Sequence, residues 1–220
     1  HRSGKNNWTV IRPYITYSEI RLQLGVLEKE LWLYRALNGR TIVFSKDIAE
    51  KSTTLTYGYD VALGIASIIG KETAFGEAFH ITSDESYTWK EILEIYLDTI
   101  EKKTGMRPKV LLLDKSPHLE WIGAKWQVIL DRYYNRRFDN SKIQQYIDTS
   151  QFVRTESGLI SCLESFLCHP QFKKMGWGIQ GTYDRITGEW APFSEISIIK
   201  DCISYLLHRT VVPPKSKLSI

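Results

Sequence analysis

Long apolar runs and blocks of like charge are both absent from this 220-residue sequence. No stretch approaches the ~20 apolar residues of a membrane-spanning helix, so we predict no membrane partner. The net charge of +4 comes from interspersed basic and acidic residues, which gives nucleic-acid binding no specific support and suits an anionic small substrate. The first residues do not resemble a signal peptide, because Arg2 and Lys5 are followed by polar Asn6 and Asn7. These absences favour a cytoplasmic protein.

Cysteine is scarce, and the spacing of the cysteines argues against a Cys-x-x-Cys site and against a metal site. Cys162, Cys168 and Cys202 form no Cys-x-x-Cys pair and have no metal-ligand spacing. We therefore predict free thiols in a reducing compartment and no metal centre.

Aromatic residues, in contrast, are abundant for a chain of this length. Apolar residues make up 43% of the sequence, which also contains seven Trp and twelve Tyr and is typical of a folded globular protein. Aromatic rings suit a binding pocket as well as a core, and filling of the core is the favoured interpretation.

Apolar and β-branched runs in the first half predict a series of strands that alternate with helices. The spacing of apolar residues predicts a helix over Ser18–Leu37, and Asp60 is expected to cap a helix over Val61–Ile69. Thr88 and Glu91 form a capping box that begins a third helix. The predicted strands are Trp8–Arg12, Thr41–Phe44, Leu55–Tyr57, Ala78–Thr82 and Lys109–Leu113.

The second half has a mainly helical pattern. The Gly- and Trp-rich segment Met175–Trp190 is expected to be a surface loop. The predicted helices are Ser116–Tyr134, Ser141–Ile147, Thr155–Leu167 and Glu195–His208. The class is therefore α/β. We divide the chain into a strand-rich part (1–115), a mainly helical part (116–210) and a mobile tail (211–220).

Several segments, taken in order, resemble one enzyme family. They match the C-terminal half of extended or atypical short-chain dehydrogenase/reductases, the NAD-dependent epimerase/dehydratase group that acts on nucleotide sugars. The resemblance rests on order and spacing, since no single motif is specific. The segments are Arg-Pro-Tyr-Ile-Thr-Tyr-Ser at 12–18, Leu-Thr-Tyr-Gly-Tyr-Asp-Val-Ala at 55–62, Gly76–Glu85 followed by Thr88–Glu91, and Phe138–Lys142 followed by Thr155–Leu159.

The resemblance implies a fold and a set of binding residues. The fold would be the C-terminal part of a Rossmann-like, doubly wound parallel sheet plus a smaller, mainly helical substrate-binding domain. NAD or NADP would be the cofactor and a nucleotide sugar or similar molecule the substrate. The nicotinamide would lie against the backbone of Pro13, Tyr14 and Ile15. The residues that would face the substrate are Tyr17, Ser18, Lys46, Lys51 and Tyr57.

The sequence departs from the family pattern in ways that bear on mechanism. Relatives usually have Gly at the position of Ser18, and many place an Arg for the substrate diphosphate where Ser52, Thr53 and Thr54 stand here. The Gly-rich phosphate turn and the catalytic Tyr-x-x-x-Lys pair are absent. We expect that pair upstream of residue 1, in an N-terminal half of the same protein, where it would support hydride transfer; this chain alone would then hold no catalytic residue.

Two other kinds of function stay open. One is a cofactor-sensing or scaffold protein that keeps the fold without the chemistry, and the other is a self-standing helical binding module. A homodimer is also compatible with the sequence.

Several polar residues have a structural and a functional interpretation. Arg132, Arg136 and Arg137 follow a predicted helix, and a solvated helix end is favoured over an anion-binding patch. His80 lies on a predicted strand, where a hydrogen-bonded core histidine is favoured over a catalytic one. Asp60 is predicted to cap its helix and to brace a neighbouring loop.

Overall fold

The structure, a computed structural model, describes Gly4 and residues 7–116 and 124–211. They form two compact units interleaved along the chain, the first built from residues up to Leu22 together with Ser52–Thr99 and Asn135–His169. The second is built from Gln23–Lys51, Ile100–Tyr134 and the residues from Pro170 onwards. The division at residues 115 and 210 follows sequence order and stays a prediction.

Short strands alternate with helices, which confirms the α/β class. The strands are β1 (Val10–Arg12), β2 (Ile15–Tyr17), β3 (Ile42–Ser45), β4 (Ser52–Thr53), β5 (Leu55–Tyr57), β6 (Ala78–His80), β7 (Tyr87–Thr88) and β8 (Val110–Leu113). The helices are α1 (Lys29–Leu37), α2 (Lys46–Ala49), α3 (Gly58–Ile68), α4 (Trp89–Thr104), α5 (Lys125–Gln127), α6 (Thr155–Cys168), α7 (Trp177–Thr187) and α8 (Ile199–Leu206). Single π turns extend α5 over Val128–Arg132 and α8 over Leu207–Val211.

The first unit contains two parallel strand pairs and one antiparallel pair. Strand β1 pairs with β6, strand β2 pairs with β5, and β4 runs antiparallel to β7. Parallel pairs need crossover connections, which here include helix α3. The core of the first unit contains aliphatic and aromatic side chains, which are Val61, Ile68, Ala74, Phe79, Ile81, Ile143 and Phe152.

The predicted capping box is confirmed at the start of α4. The Glu91 carboxylate accepts a hydrogen bond from the Thr88 backbone N–H at 2.6 Å, and the Thr88 hydroxyl accepts one from the Glu91 backbone N–H at 3.2 Å. This reciprocal pairing satisfies two backbone donors that the first helical turn leaves free.

The second unit contains one parallel pair, β3 with β8, and the helices α1, α2, α5, α7 and α8. A buried cluster of Trp177, Ala191, Ile196 and Tyr205 packs between its C-terminal elements.

The predicted helix over Ser18–Leu37 is wrong in its first half, because α1 begins only at Lys29. Gly25 has a left-handed backbone (φ +60°), and a Cβ there would lie 2.8 Å from Phe44 Cε2. The chain therefore turns at Gly25, and Leu24 and Leu27 pair through their backbones. Tertiary burial of these leucines, rather than one helical face, explains their spacing.

The predicted loop over Met175–Trp190 is also wrong, since α7 occupies most of it. Its glycines serve close helix packing: a Cβ on Gly181 would lie 2.4 Å from the Tyr205 backbone oxygen. Glycine there permits the approach of α8 and does not end the helix.

Other predicted helices are shorter or lie partly outside the described residues. Only a 3-10 turn over Ile143–Gln145 forms within the predicted helix Ser141–Ile147, because four residues of that segment face solvent and only Ile143 is buried. Residues 117–123 of the predicted helix Ser116–Tyr134, and the predicted mobile tail from residue 212, lie outside the described residues. Within the described part of the chain, no helix has both the length and the apolar character needed to cross a bilayer.

Candidate functional site

The predicted cofactor-binding residues lie between two strands of the first unit. Pro13 and Tyr14 link β1 to β2, and Pro13 is exposed. Ile15 is buried as the first residue of β2. The Tyr14 ring packs on Phe138, with centroids 4.7 Å apart. The backbone of this link is therefore uncovered on one side and held in place on the other.

Two of the predicted substrate-facing tyrosines are paired across β2 and β5. Tyr17 and Tyr57 are in register, and their ring centroids lie 5.6 Å apart. The Tyr57 hydroxyl donates to the Glu19 carboxylate at 2.6 Å, and this hydrogen bond raises the pKa of Tyr57 to about 12. Ser18 follows directly and forms a backbone bridge with Arg21.

The Tyr17 side chain is buried against helix α6. A Cβ on Gly158 would lie only 2.0 Å from the Tyr17 hydroxyl oxygen. That hydroxyl has no hydrogen-bond partner among the described residues, and burial raises the pKa of Tyr17 above its ordinary value. Both tyrosines are therefore protonated at neutral pH, so neither has the ionisation expected of a general base.

A cavity of about 250 Å³ opens beside the Phe138 ring. It is lined by three hydroxyl-bearing residues, one acidic residue, one basic residue and one aromatic residue. The lining residues are Thr54, Ser83, Asp84, Ser86, Arg137 and Phe138. Phe138 thus connects the cavity to Tyr14 and to the predicted cofactor-binding link.

The carboxylate of Asp84 is fixed by Asn140 and Thr149. The Asn140 amide nitrogen donates to Asp84 at 2.8 Å and to the Thr82 backbone oxygen at 2.7 Å, while its oxygen accepts from the Thr82 hydroxyl at 3.1 Å. The Thr149 hydroxyl donates to the other Asp84 oxygen at 2.8 Å. Supporting hydrogen bonds of this kind hold a binding group in one orientation before a ligand arrives.

The opposite wall is held by the loop that follows residue 135. The Thr54 hydroxyl donates to the Arg136 backbone oxygen at 3.0 Å and lies 3.1 Å from the Ser86 hydroxyl. The Ser83 backbone N–H donates to the Thr56 hydroxyl at 2.8 Å. Arg137 is exposed at this wall, and its side chain has no hydrogen-bond or ion-pair partner among the described residues.

Lys46 and Lys51, the other predicted substrate-binding residues, belong to the second unit. The Lys46 ammonium pairs with Asp114 at 2.8 Å on an exposed surface. The first unit contains the other predicted site residues, which are Pro13, Tyr14, Ile15, Tyr17, Ser18 and Tyr57.

The arginine cluster is not the solvated helix end that the sequence favoured. Arg132 is buried and donates to the Gly25 backbone oxygen at 3.0 Å, so it holds the Gly25 turn of the second unit. Arg136 and Arg137 belong to the first unit, where only Arg137 lines the cavity.

Two further interpretations from the sequence are partly corrected. Asp60 lies inside the first turn of α3 and is not its cap; the bracing role is present, because its carboxylate accepts from the Val153 N–H at 2.9 Å. His80 packs on Phe138, but its Nδ1 is buried without a hydrogen-bond partner among the described residues, so it is not the hydrogen-bonded histidine expected. No cluster of metal-ligating side chains occurs in the part of the chain that is described.

Most of the cavity wall was not predicted from the sequence to bind a ligand. Thr54 was named only as a position where relatives place an Arg, and Ser83 and Asp84 only as part of a segment that resembles the family, although residues 83–86 follow soon after β6. Ligands of open α/β sheets bind outside the carboxyl ends of the strands, so a hydroxyl-rich segment after a strand was an available signal.

Solved structures with a similar fold include enzymes that act on nucleotide sugars. UDP-glucuronic acid 4-epimerase from Bacillus cereus, solved with UDP-glucuronic acid and NAD, has a TM-score of 0.53 and 18% identity, covering 73% of this chain and 45% of that one. The dTDP-glucose 4,6-dehydratase DesIV from Streptomyces venezuelae, solved with NAD, has a TM-score of 0.53 and 17% identity, covering 74% and 44%. Epimerase Mth375 from Methanothermobacter thermautotrophicus has a TM-score of 0.52 and 17% identity, covering 71% and 42%.

No protein-family model and no curated protein match the chain. The chain spans less than half the length of the solved structures named above. Likeness at this level of identity establishes the fold. The chain therefore has the α/β fold of the NAD-dependent nucleotide-sugar epimerases and dehydratases, as its sequence resemblance implied.

Proposed function

We propose that this chain is the substrate-side portion of an NAD(P)-dependent epimerase, dehydratase or reductase that acts on a nucleotide sugar. The observation that carries the proposal is the cavity in the first unit, where Arg137, Asp84 and several hydroxyl groups converge beside Phe138 and Tyr14. The fold supports it by analogy, because solved structures of that fold hold NAD and nucleotide sugars.

The cavity favours a ligand that carries both negative charge and hydroxyl groups. A guanidinium that has no partner among the described residues is suited to a phosphate, onto which it can donate two parallel hydrogen bonds. The Asp84 carboxylate would repel a phosphate but accept hydrogen bonds from sugar or ribose hydroxyls. A nucleotide sugar contains both groups, so its phosphate would lie towards Arg137 and a hydroxyl towards Asp84.

The cofactor would lie against the link between β1 and β2. Pro13 is exposed there, and the backbone of Pro13, Tyr14 and Ile15 would contact the nicotinamide carboxamide. The nicotinamide supplies hydride transfer when bound. Tyr57 and Ser18 would contact the sugar, and Tyr17 would support them from the core. Lys46 and Lys51 remain proposed phosphate contacts on the resemblance alone.

Neither Tyr17 nor Tyr57 is suited to accept the proton in the transfer step. Tyr17 and Tyr57 both have raised pKa values and stay protonated near neutral pH. The Tyr–Lys pair of the family stays the expected acid/base. If the full-length protein binds both ligands but turns none over, the cofactor-sensing alternative describes it better.

Replacing Arg137 by Met in the full-length protein is expected to raise the Kd for a UDP-sugar about 10- to 100-fold. The reason is that a charge-assisted hydrogen bond to phosphate is lost, which contributes ~1.5–3 kcal/mol to the binding free energy. Isothermal titration with NAD present measures this Kd.

The matched control is Arg107→Met, which removes an exposed arginine of the second unit that pairs with Glu101. We expect the control to leave the Kd unchanged. Equal effects of the two substitutions would contradict the placement of the phosphate at Arg137.

A further inference from the structure

An apolar stripe follows the outer face of the last described helix. It consists of residues four apart, Ile199, Ile203, Leu207 and Val211, which are 80%, 54%, 45% and 68% exposed. The turn over Leu207–Val211 is a π turn, which winds less per residue than an α-helix, so Val211 stays in line with the other three side chains. Four neighbouring aliphatic side chains in water form a patch of the kind that marks an interaction surface.

The opposite face of the same helix is already used for packing. Tyr205 is fully buried, and its hydroxyl donates to Asp184 at 2.7 Å. Gly181 of α7 approaches the Tyr205 backbone closely. The helix is therefore anchored through its inner face, and the stripe faces outward on a fixed support.

The sequence of this helix and of the residues that follow it is basic. From Ile199 to the end of the chain the sequence has four basic residues, Lys200, Arg209, Lys215 and Lys217, against the single acidic residue Asp201. Lys200 is exposed beside the stripe, and the Arg209 guanidinium lies 4.3 Å from the centroid of the half-exposed Trp190 ring. An amphipathic helix with an aliphatic face and basic neighbours suits the interface of an anionic bilayer.

We propose that the helix over residues 199–211 attaches the protein to an anionic membrane surface, lying in the plane of the interface without crossing it. This proposal departs from the sequence-based prediction of no membrane partner, which rested on the lack of a spanning segment. A second copy is the less favoured occupant, because two faces of the same positive sign would meet. Four side chains also offer less area than the ~800 Å² per partner of a stable interface. The proposal does not depend on the proposed enzymatic function.

The test is co-sedimentation of the full-length protein with vesicles of phosphatidylcholine alone or of equal parts phosphatidylcholine and phosphatidylglycerol. We expect binding to the anionic vesicles that weakens at high salt, and little binding to the neutral ones. Ile203→Ser combined with Leu207→Ser should weaken the binding about tenfold or more, because two aliphatic side chains no longer enter the interface. Ile69→Ser, at a more exposed isoleucine in the first unit, should leave the binding unchanged.

Two results would overturn the proposal. The first is that the protein does not bind anionic vesicles, whatever its oligomeric state. The other is concentration-dependent dimerisation in analytical ultracentrifugation that the Ile203→Ser and Leu207→Ser pair abolishes, which would assign the stripe to a second copy. Circular dichroism of the variants checks that they are folded.

Discussion

Replacing Arg35 by Met is expected to lower the free energy of unfolding by about 3–5 kcal/mol. Arg35 is completely buried in the second unit. Its guanidinium donates to Asp184 at 2.7 Å, to Gln180 at 3.0 Å and to Glu189 at 2.9 Å. Methionine fills much of the same volume but leaves Asp184 buried without its strongest partner.

The effect is large because Arg35 contacts both Asp184 and Glu189, whereas Arg40, the second buried cation of this cluster, lies 3.6 Å from Asp184. Glu189 also accepts from the Thr41 backbone N–H at 3.0 Å and from the Thr41 hydroxyl at 2.7 Å. Burial alone would raise the pKa of Glu189, but the hydrogen bonds from Thr41 and Thr187 and the charge of Arg35 lower it below its usual range. Without Arg35 the pKa of Glu189 loses one of the causes that lower it, while the hydrogen bonds from Thr41 and Thr187 remain.

Chemical denaturation of the full-length protein at neutral pH measures this change. Arg107→Met is the matched control in the same unit, because Arg107 pairs with Glu101 on the exposed surface at 2.8 Å. Exposed ion pairs contribute ~0–1 kcal/mol to stability, so the control variant should have a free energy of unfolding close to that of the wild type. A loss below about 1 kcal/mol for Arg35→Met would show that the second unit is not held by this cluster.

Replacing Gly158 by Ala is expected to destabilise the first unit by about 1–3 kcal/mol and to displace the Tyr17 ring. Alanine in a helix interior normally stabilises the helix relative to glycine, so helix propensity alone would predict a gain in stability and not a loss. The cause is steric, since the new Cβ would lie 2.0 Å from the Tyr17 hydroxyl oxygen and 2.9 Å from Cζ.

The double variant with Tyr17→Phe isolates that contact. Removing the hydroxyl eliminates the shortest approach, so Tyr17→Phe should recover part of the loss in the Gly158→Ala background. Alone it should be neutral or slightly stabilising, because the hydroxyl is buried without a partner among the described residues. Gly58→Ala is the control, since its Cβ would meet nothing closer than the Tyr17 backbone oxygen at 3.6 Å. Additive effects of the two substitutions would contradict the contact.

The sequence predicted the elements whose signals are local. Strand β5 has the predicted bounds, and β1, β3, β6 and β8 lie within a residue or two of theirs. The Thr88–Glu91 capping box is confirmed because its partners are three residues apart and need no tertiary context. The order of these elements gave the α/β class, and the resemblance of four segments to the epimerase/dehydratase family identified the fold.

Elements that depend on distant contacts were predicted incorrectly. Gly25 turns because Phe44 packs against it, and Gly181 sits inside a helix because the Tyr205 backbone approaches it. The sequence shows the same residue in both cases, and only tertiary packing distinguishes a turn from close helix packing. The candidate cavity was missed for a similar reason, since Thr54, Asp84 and Arg137 meet only after the strands have paired.

The central proposal is that this chain carries the substrate-binding side of an NAD(P)-dependent nucleotide-sugar enzyme. The measurement that tests it most directly is isothermal titration of the full-length protein with NAD and then with UDP-, dTDP- and GDP-sugars. We predict saturable binding of NAD and of at least one nucleotide sugar, with the sugar affinity reduced in Arg137→Met and unchanged in Arg107→Met. A folded protein that binds neither NAD, NADP nor any of these sugars would contradict the account.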